Sequence, residues 1–345
     1  MEYKGIYKLF DAGNINTYPL HQRINKVKQE DLILPDSDLR SRRPGAQAMK
    51  DIEKIAVEIV MAHRHQKPVV VFSGAHLVKN GLGPLMVDLI NRKIITLFAG
   101  NGATAIHDFE LALIGETSEY VPEALEKGQF GMAYEFTYIN TALKIGNAKK
   151  LGYGESLGRM ICDRDFRDLV LNEVAVPGSP EQFLYPHTSI LTACYNNIIA
   201  CTIHAGIGTV VIDQHPSFDG EAKGGCSGRD FLIFTEEIKK LASGGVILNI
   251  GSAVTGPEVL LKAISMVSNT GAVPQGIITA DFDLRSHYPE DMKDESKERY
   301  YYRDQKSIVT RIPQAFNGSG YYIQGNLIDT IPMLYTRIIE NLKIK

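Results

Sequence analysis

The chain has 345 residues, 44% of them hydrophobic and 22% charged, and its 37 Lys and Arg against 40 Asp and Glu leave a formal net charge of −3. That length can bury a sizeable core, the balance is that of an ordinary globular protein, and the mild negative charge argues against a non-specific nucleic-acid binder, which needs a basic face. Apolar runs such as "PVVVF" and "VILNI" are too short to span a bilayer, and "MEYKGIYKLFDAGNINTY" lacks the apolar core of a secretory signal, so a cytoplasmic protein is expected. Cys162, Cys194, Cys201 and Cys226 form no CxxC pair and read as reduced thiols, with Cys226 in "KGGCSGRD" alone worth testing for reactivity.

Taken in chain order, residues 1–45 are polar and irregular and read as an extended arm. "AQAMKDIEKIAVEIVMAHRHQ" then sets Met49, Ile52, Ile55, Ala56, Ile59 and Val60 at helical spacing. "KPVVVFSG" is a β-branched run ending in Gly, "GLGPLMVDLINR" is helical with Pro84 in its first turn, and "KIITLFAG" is a second strand before a helix from about Ala105 to Ile114. Residues of about 115–185 read as a helix-rich insertion, in which "GYGESLG" has no apolar run before it and is expected to be a turn. Further on, "NNIIACTIHAGIG" and "TVVID" precede a polar loop and the amphipathic "RDFLIFTEEIKKLAS". "GGVILNIGSAV", "GPEVLLKAISMVSN", "PQGIITADFD" and a closing helix "LIDTIPMLYTRIIENLK" follow. Apolar runs alternating with helices predict one doubly wound α/β domain over 46–345, with a mainly parallel sheet. The polar stretch 286–305 is expected to be an exposed excursion or an interface loop.

The predicted strand ends carry Gly with Ala, Ser or Thr in "FSGAHLVKNG", "FAGNGATAIHD", "IHAGIGTVVID" and "NIGSAVTGPE". Glycine-rich corners at the carboxyl ends of parallel strands let backbone N–H groups meet a phosphate, so a nucleotide is expected there. No G-x-G-x-x-G follows a strand and no P-loop is present. Asp219, in a polar loop, has the character of a ribose-binding carboxylate, and an Asp-Gly turn explains it equally well. The same segment offers a rival: Asp213, His215 and Asp219, with His204 upstream, could hold a divalent metal for hydrolysis, although their spacing matches no standard motif.

These landmarks resemble the deoxyhypusine synthase family over roughly residues 67–340. Its members are NAD-dependent enzymes that move the butylamine group of spermidine onto a protein lysine. "FSGAHLVKNGLGPLMVDLI" is similar to the family's first cofactor segment, which implies Gly74, Ala75, His76 and Lys79 as NAD contacts. "FAGNGATAIHDFELAL" is similar to its glycine corner and implies Asn101, Gly102 and Ala103. "HPSFDGEAKGGCSGRDF" is similar to its Pro-x-x-x-Asp-Gly loop and implies Asp219 and Gly220 for the ribose, with Asp230 nearest the acid that holds the polyamine. "NIGSAVTGPE" implies Gly251 and Ser252, and "IQGNLIDTIPMLY" implies Gly325 and Asn326. The family's imine-forming lysine has its matched place near Arg311, no tryptophan occurs in the chain, and arginine cannot form that imine. The resemblance therefore implies a Rossmann-like NAD fold and an amine or polyamine-type substrate rather than authentic deoxyhypusine synthesis.

On a helix from Ala105, His107 and Glu110 share one face. His107 is the expected base, because histidine titrates nearest neutrality, and Glu110 and Asp230 are the expected anchors of a substrate ammonium. Asp108 lies about 100° round the helix and would favour the helix N-terminus. A nucleotide-binding regulatory module without catalysis is the alternative from a different class. The resemblance also implies a homo-oligomer, a tetramer, and the polar arm and the 286–305 stretch are candidate interface parts.

Overall fold

The computed structural model describes residues 3–174 and 182–344. The polar arm makes one short strand, β1 (Asn25–Lys28), before the first long helix, α1 (Ala46–Arg64). β2 (Val69–Ser73), α2 (His76–Lys79), α3 (Gly83–Asn91), β3 (Leu97–Asn101), α4 (Gly102–Ile114) and β4 (Glu116–Glu119) follow. The inserted region holds α5 (Val121–Glu126), α6 (Phe136–Ala148), α7 (Tyr153–Cys162) and α8 (Arg164–Glu173), and α9 (Ile190–Asn197) leads back to the sheet at β5 (Ala200–His204). α10 (Gly220–Lys239), β6 (Val246–Ile250), α11 (Thr255–Asn269), β7 (Ile278–Asp283), α12 (Ile312–Ala315), β8 (Ser319–Gln324) and α13 (Leu327–Lys343) complete the chain.

Six strands form one parallel sheet in the order β5-β3-β2-β6-β7-β8. Counted along the chain, that is the 3-2-1-4-5-6 order of a doubly wound Rossmann-like fold, with its direction of winding reversing between β2 and β6. The fold class expected from the alternating runs is the one observed. β2 explains why: Val69 and Val71 enter the cluster beneath α1, α3 and α13, whereas Val70 and Phe72 enter the cluster beneath α10 and α11. A strand buried on both faces needs apolar side chains at every position, and all five residues of β2 except Ser73 are of that kind. A third cluster joins α4 to α6, α7 and α8 over the β5 edge of the sheet.

Three local expectations are corrected. "GYGESLG" is the start of α7 and not a turn. Its Gly154 lies so close to the strand that a Cβ there would be 1.9 Å from the Cys201 carbonyl oxygen, so the glycine is a packing requirement. After β5, Val211–Asp213 of "TVVID" make a single 3-10 turn. The glycine-rich "GEAKGGCSG" is helical, forming the first half of α10, capped by Asp219 and with Gly225 packed on Asn147. Finally, the 286–305 stretch is not wholly exposed, because Asp304 and Gln305 are buried at the start of a π-helix, Gln305–Arg311. All four cysteines are free, and burial pushes the Cys226 thiol up, away from the reactive range. Among the described residues no helix is long and apolar enough to cross a membrane.

Candidate active site

The carboxyl edge of the sheet is built around two glycines. Gly74 follows β2 and Gly251 follows β6, on either side of the point where the winding reverses. The Gly74 N–H donates to the Ile250 carbonyl over 2.9 Å, and a Cβ on Gly74 would stand 2.1 Å from the Gly251 carbonyl oxygen. Gly251 itself has φ of 60°, and a Cβ there would meet the first residue of α13, Leu327, at 3.2 Å. Both glycines are therefore requirements of a close approach between two strand ends, at the crevice that this strand order creates. Gly74→Ala is expected to cost about 1–3 kcal/mol by forcing the two strand ends apart. Denaturant unfolding checks it, and a cost under 0.5 kcal/mol would show that the corner tolerates a side chain.

Most of the predicted cofactor residues do converge on this edge. Ala75 and His76 continue from Gly74, and Asn101 ends β3. Asn101 is the N-cap of α4, its Oδ1 accepting from the Thr104 N–H at 2.9 Å, while Thr104 Oγ1 donates to the Ser73 carbonyl at 3.1 Å. Gly102 is buried and Ala103 half-buried at the positive end of this helix. Ser252 Oγ accepts from the Gly256 N–H at the start of α11, and Asn326 caps α13 by accepting from the Ile328 N–H. The Gly325 N–H donates to the Asp283 carbonyl at 3.0 Å, which ties the β8 end to the β7 end. Asp219 caps α10 through the Ala222 N–H at 2.9 Å, and the exposed Gly220 opens that helix.

A cavity of about 450 Å³ opens beside the crevice, with Lys79, Ala103, His107, Glu110 and Arg23 in its wall. β1 and β4 pair antiparallel, Val27 opposite Thr117, and this ribbon brings the arm and Thr117 over α4. The result is a continuous polar relay. Arg23 Nη1 meets Glu110 Oε1 at 2.7 Å, Thr117 Oγ1 donates to the other oxygen of Glu110, and His107 Nδ1 lies 2.7 Å from Thr117 Oγ1. Because the single Thr117 hydroxyl proton goes to the carboxylate, its oxygen can only accept from His107. Nδ1 therefore carries the proton, and Nε2 is the lone-pair atom of the neutral ring. Burial opposes ionisation of Glu110, but Arg23 and His107 outweigh it and bring its carboxyl down to about 2. Ser118, in the same wall, is held at φ of 67°, a left-handed conformation that a non-glycine residue adopts only when its surroundings impose it.

His76 and Lys79 belong to this edge too. Burial, Lys79 and His107 together lower the His76 imidazole, with Asp283 opposing them, and the His76 Cβ would be 3.9 Å from a Cβ on Gly251.

Other expected residues have different duties. Asp108 does not serve the N-terminus of its own helix. It accepts from Ser189 Oγ at 2.5 Å and from the N–H groups of Ile190 and Leu191, so it caps α9, and burial raises it to about 6. Asp230 is no anchor in the His107 cavity: its carboxylate accepts from the Ile203 N–H at 2.7 Å and the Gly154 N–H at 3.0 Å. His204 stacks on Phe72 with ring centroids 5.5 Å apart, and burial lowers it to about 4, which makes it a neutral packing residue. The metal alternative fails on geometry. Asp213 is paired with the buried Lys223, His215 Nδ1 is 2.7 Å from Ser217 Oγ, and Asp219 is a helix cap. Among the described residues no group of three His, Cys, Asp or Glu could hold a metal ion.

One network has no counterpart in the sequence reading. Behind the ends of β7 and β8, Arg285 holds Asp283 through two bonds of 3.0 and 2.9 Å and also contacts Asp304. Asp281 is fully buried, accepts from Asn249 Nδ2 at 2.7 Å, and is pushed up by burial and by Asp304. "TADFD" was the only local signal, and its partners come from other elements.

No protein-family model matches the chain, and no curated protein matches it. Several solved structures are similar in chain path. The arginine dihydrolase ArgZ, from the ornithine-ammonia cycle in cyanobacteria, is 14% identical with a TM-score of 0.49, over 88% of this chain and 33% of that one. AgrE in a ternary complex with ornithine and NAD+ is 12% identical with a TM-score of 0.48, over 88% and 34%. A candidate deoxyhypusine synthase from Entamoeba histolytica is 9% identical with a TM-score of 0.38, over 86% and 89%. The chain thus spans about a third of the length of ArgZ and AgrE.

Proposed function

We propose that the protein is an NAD-dependent enzyme that oxidises a small amine, with the dinucleotide in the Gly74–Gly251 crevice and the substrate in the adjoining cavity. The observation that carries this reading is the meeting of a side-chain-free corner at the reversal point with an oriented histidine in the cavity beside it. AgrE binds ornithine and NAD+, but the reading here rests on this chain's own strand ends. The elements present fit a dinucleotide: the positive ends of α4, α11 and α13 lie together at the carboxyl edge of the sheet, beside the reversal point. Bound there, NAD would supply the hydride acceptor.

The protein's own part is to position and to move a proton. His107, held through Nδ1 by Thr117, presents Nε2 as the atom that takes a proton from the substrate nitrogen. Glu110 fixes Thr117 and stabilises the imidazolium once it forms, and Arg23 keeps Glu110 ionised. Ser118 and the half-buried Ala103 close the wall around them.

The test is to titrate pure protein with NAD, follow nicotinamide absorbance and fluorescence, and add a panel of small amines. Binding with reduction of NAD by at least one amine is the expected result. Binding without turnover on any amine would favour a regulatory nucleotide-binding module, and absence of binding would overturn the reading. His107→Gln should lower kcat by about a hundredfold with the Kd for NAD unchanged. An unchanged kcat would remove His107 as the base.

A further inference from the structure

The cavity holds three carboxylates, and each is already matched. Glu110 is paired with Arg23 and Thr117. Glu119 accepts from the Tyr18 hydroxyl and the Gly131 N–H, both at 2.9 Å. Asp213 is paired with Lys223 and accepts from the Thr209 N–H at 3.1 Å. The basic side chains of the same wall, by contrast, are not all matched. Lys26 and Lys79 line the cavity, and neither makes an ion pair among the described residues. Burial and the neighbouring Lys26 charge both lower the Lys79 ammonium, as two cations facing one space would do. Behind them, Arg23 is only 8% exposed, yet its Nη2 meets no acceptor. Ala103, in the first turn of the 13-residue helix α4, adds the positive end of a helix dipole to the same wall.

A bare diamine could place one amine at the His107 Nε2 lone pair, but its second positive charge would face the two unpaired lysines. A carboxylate would be received by both lysines. Resting on the reading of an amine-oxidising enzyme given above, we propose that the substrate is a carboxylate-bearing amine, an amino acid rather than a polyamine, with its acid group on Lys26 and Lys79 and its amine toward His107. Charge-assisted hydrogen bonds of this type are the ones that discriminate strongly between a ligand that has the group and one that lacks it.

Matched pairs test this directly: lysine against 1,5-diaminopentane, ornithine against 1,4-diaminobutane, and arginine against agmatine. Each is titrated calorimetrically into the whole protein, with and without NAD, and is then assayed for NAD reduction. At least one amino acid should bind about tenfold or more tightly than its decarboxylated partner. Lys26→Met should erase that preference by weakening the amino acid about tenfold, while the diamine and NAD keep their affinities, and Lys79→Met should weaken the amino acid likewise. Diamines binding as well as the amino acids would overturn the inference and leave the NAD reading standing. A Lys79→Met protein that loses NAD affinity instead would assign the lysines to the cofactor's phosphates, which also overturns it. Should NAD fail to bind while the amino-acid preference persists in the protein alone, the carboxylate inference stands and the dehydrogenase reading falls.

Discussion

Replacing Asp230 with alanine is expected to destabilise the protein by roughly 2–6 kcal/mol, because two buried N–H groups would each be left without an acceptor at about 1–3 kcal/mol apiece. β5 is the last strand on its side of the sheet, and an edge strand exposes a row of unpaired N–H groups. Here α7 and α10 close over that edge. Asp230, on α10 and 1% exposed, serves the strand at Ile203 and the orphan N-terminal N–H of α7 at Gly154 with one carboxylate. Burial raises Asp230 to about 7, although the backbone bonds oppose the rise. A carboxyl raised above its unfolded value holds its proton more tightly in the folded state. Its ionisation therefore costs stability as pH climbs from about 4 to about 7. Asp108, raised to about 6, acts in the same direction. Asp230→Asn keeps an acceptor and cannot ionise, so it should lose less than half as much as Asp230→Ala and should flatten that pH dependence. Urea unfolding of the three proteins at pH 5 and pH 7.5 measures both effects. An alanine variant within 0.5 kcal/mol of the parent would mean that the edge is held some other way.

Asp230 also marks the boundary of what local sequence can reveal. Strands β2, β3, β5, β6 and β7 were legible because a sheet covered on both faces requires continuous apolar runs, and the glycines at their ends were legible because the backbone approaches closely there. β8 was not, since "SGYYIQ" is half-exposed over most of its length and carries no such run. The start of α10 was hidden for another reason: glycine normally weakens a helix, and packing requires it here only at Gly225, against Asn147, and not at Gly224 or Gly228. In the site, His107 and Glu110 were recognisable as one face of a helix. Their partner Arg23, far away in the arm, was not, because nothing in "HQRINK" says which carboxylate it meets. The same holds for Asp108 and α9. Carboxylates two residues apart on α4 serve opposite sides of the molecule, one capping a neighbouring helix and one joining the relay. Periodicity alone can say that they diverge but not where each arrives.

Arg23→Ala is expected to cost about 3–5 kcal/mol, the usual result of stripping one partner from a buried ion pair and leaving the other charge uncompensated. Glu110 is 2% exposed, so water cannot replace the guanidinium. The pH dependence should change sign as well. In the parent protein the Glu110 carboxyl, at about 2, lies below its unfolded value of 4.5, so its contribution is present above pH 4.5 and is lost as pH falls toward 2. Without Arg23, burial is opposed only by His107 and Thr117, and the folded value rises above 4.5. Stability then falls as pH rises through that higher value. The paired change Arg23→Met with Glu110→Gln removes both charges and should recover most of the loss, as apolar or neutral replacements of buried pairs do. Catalysis separates the structural duty from the chemical one. The double variant should fold like the parent yet oxidise substrate more slowly, because Thr117 would no longer be fixed by a carboxylate and nothing would balance the charge of the His107 imidazolium. Full activity in that variant would show that His107 needs no relay. Lost stability without recovery in the pair would place the arm's contribution in packing, against Phe136 under the guanidinium, rather than in charge.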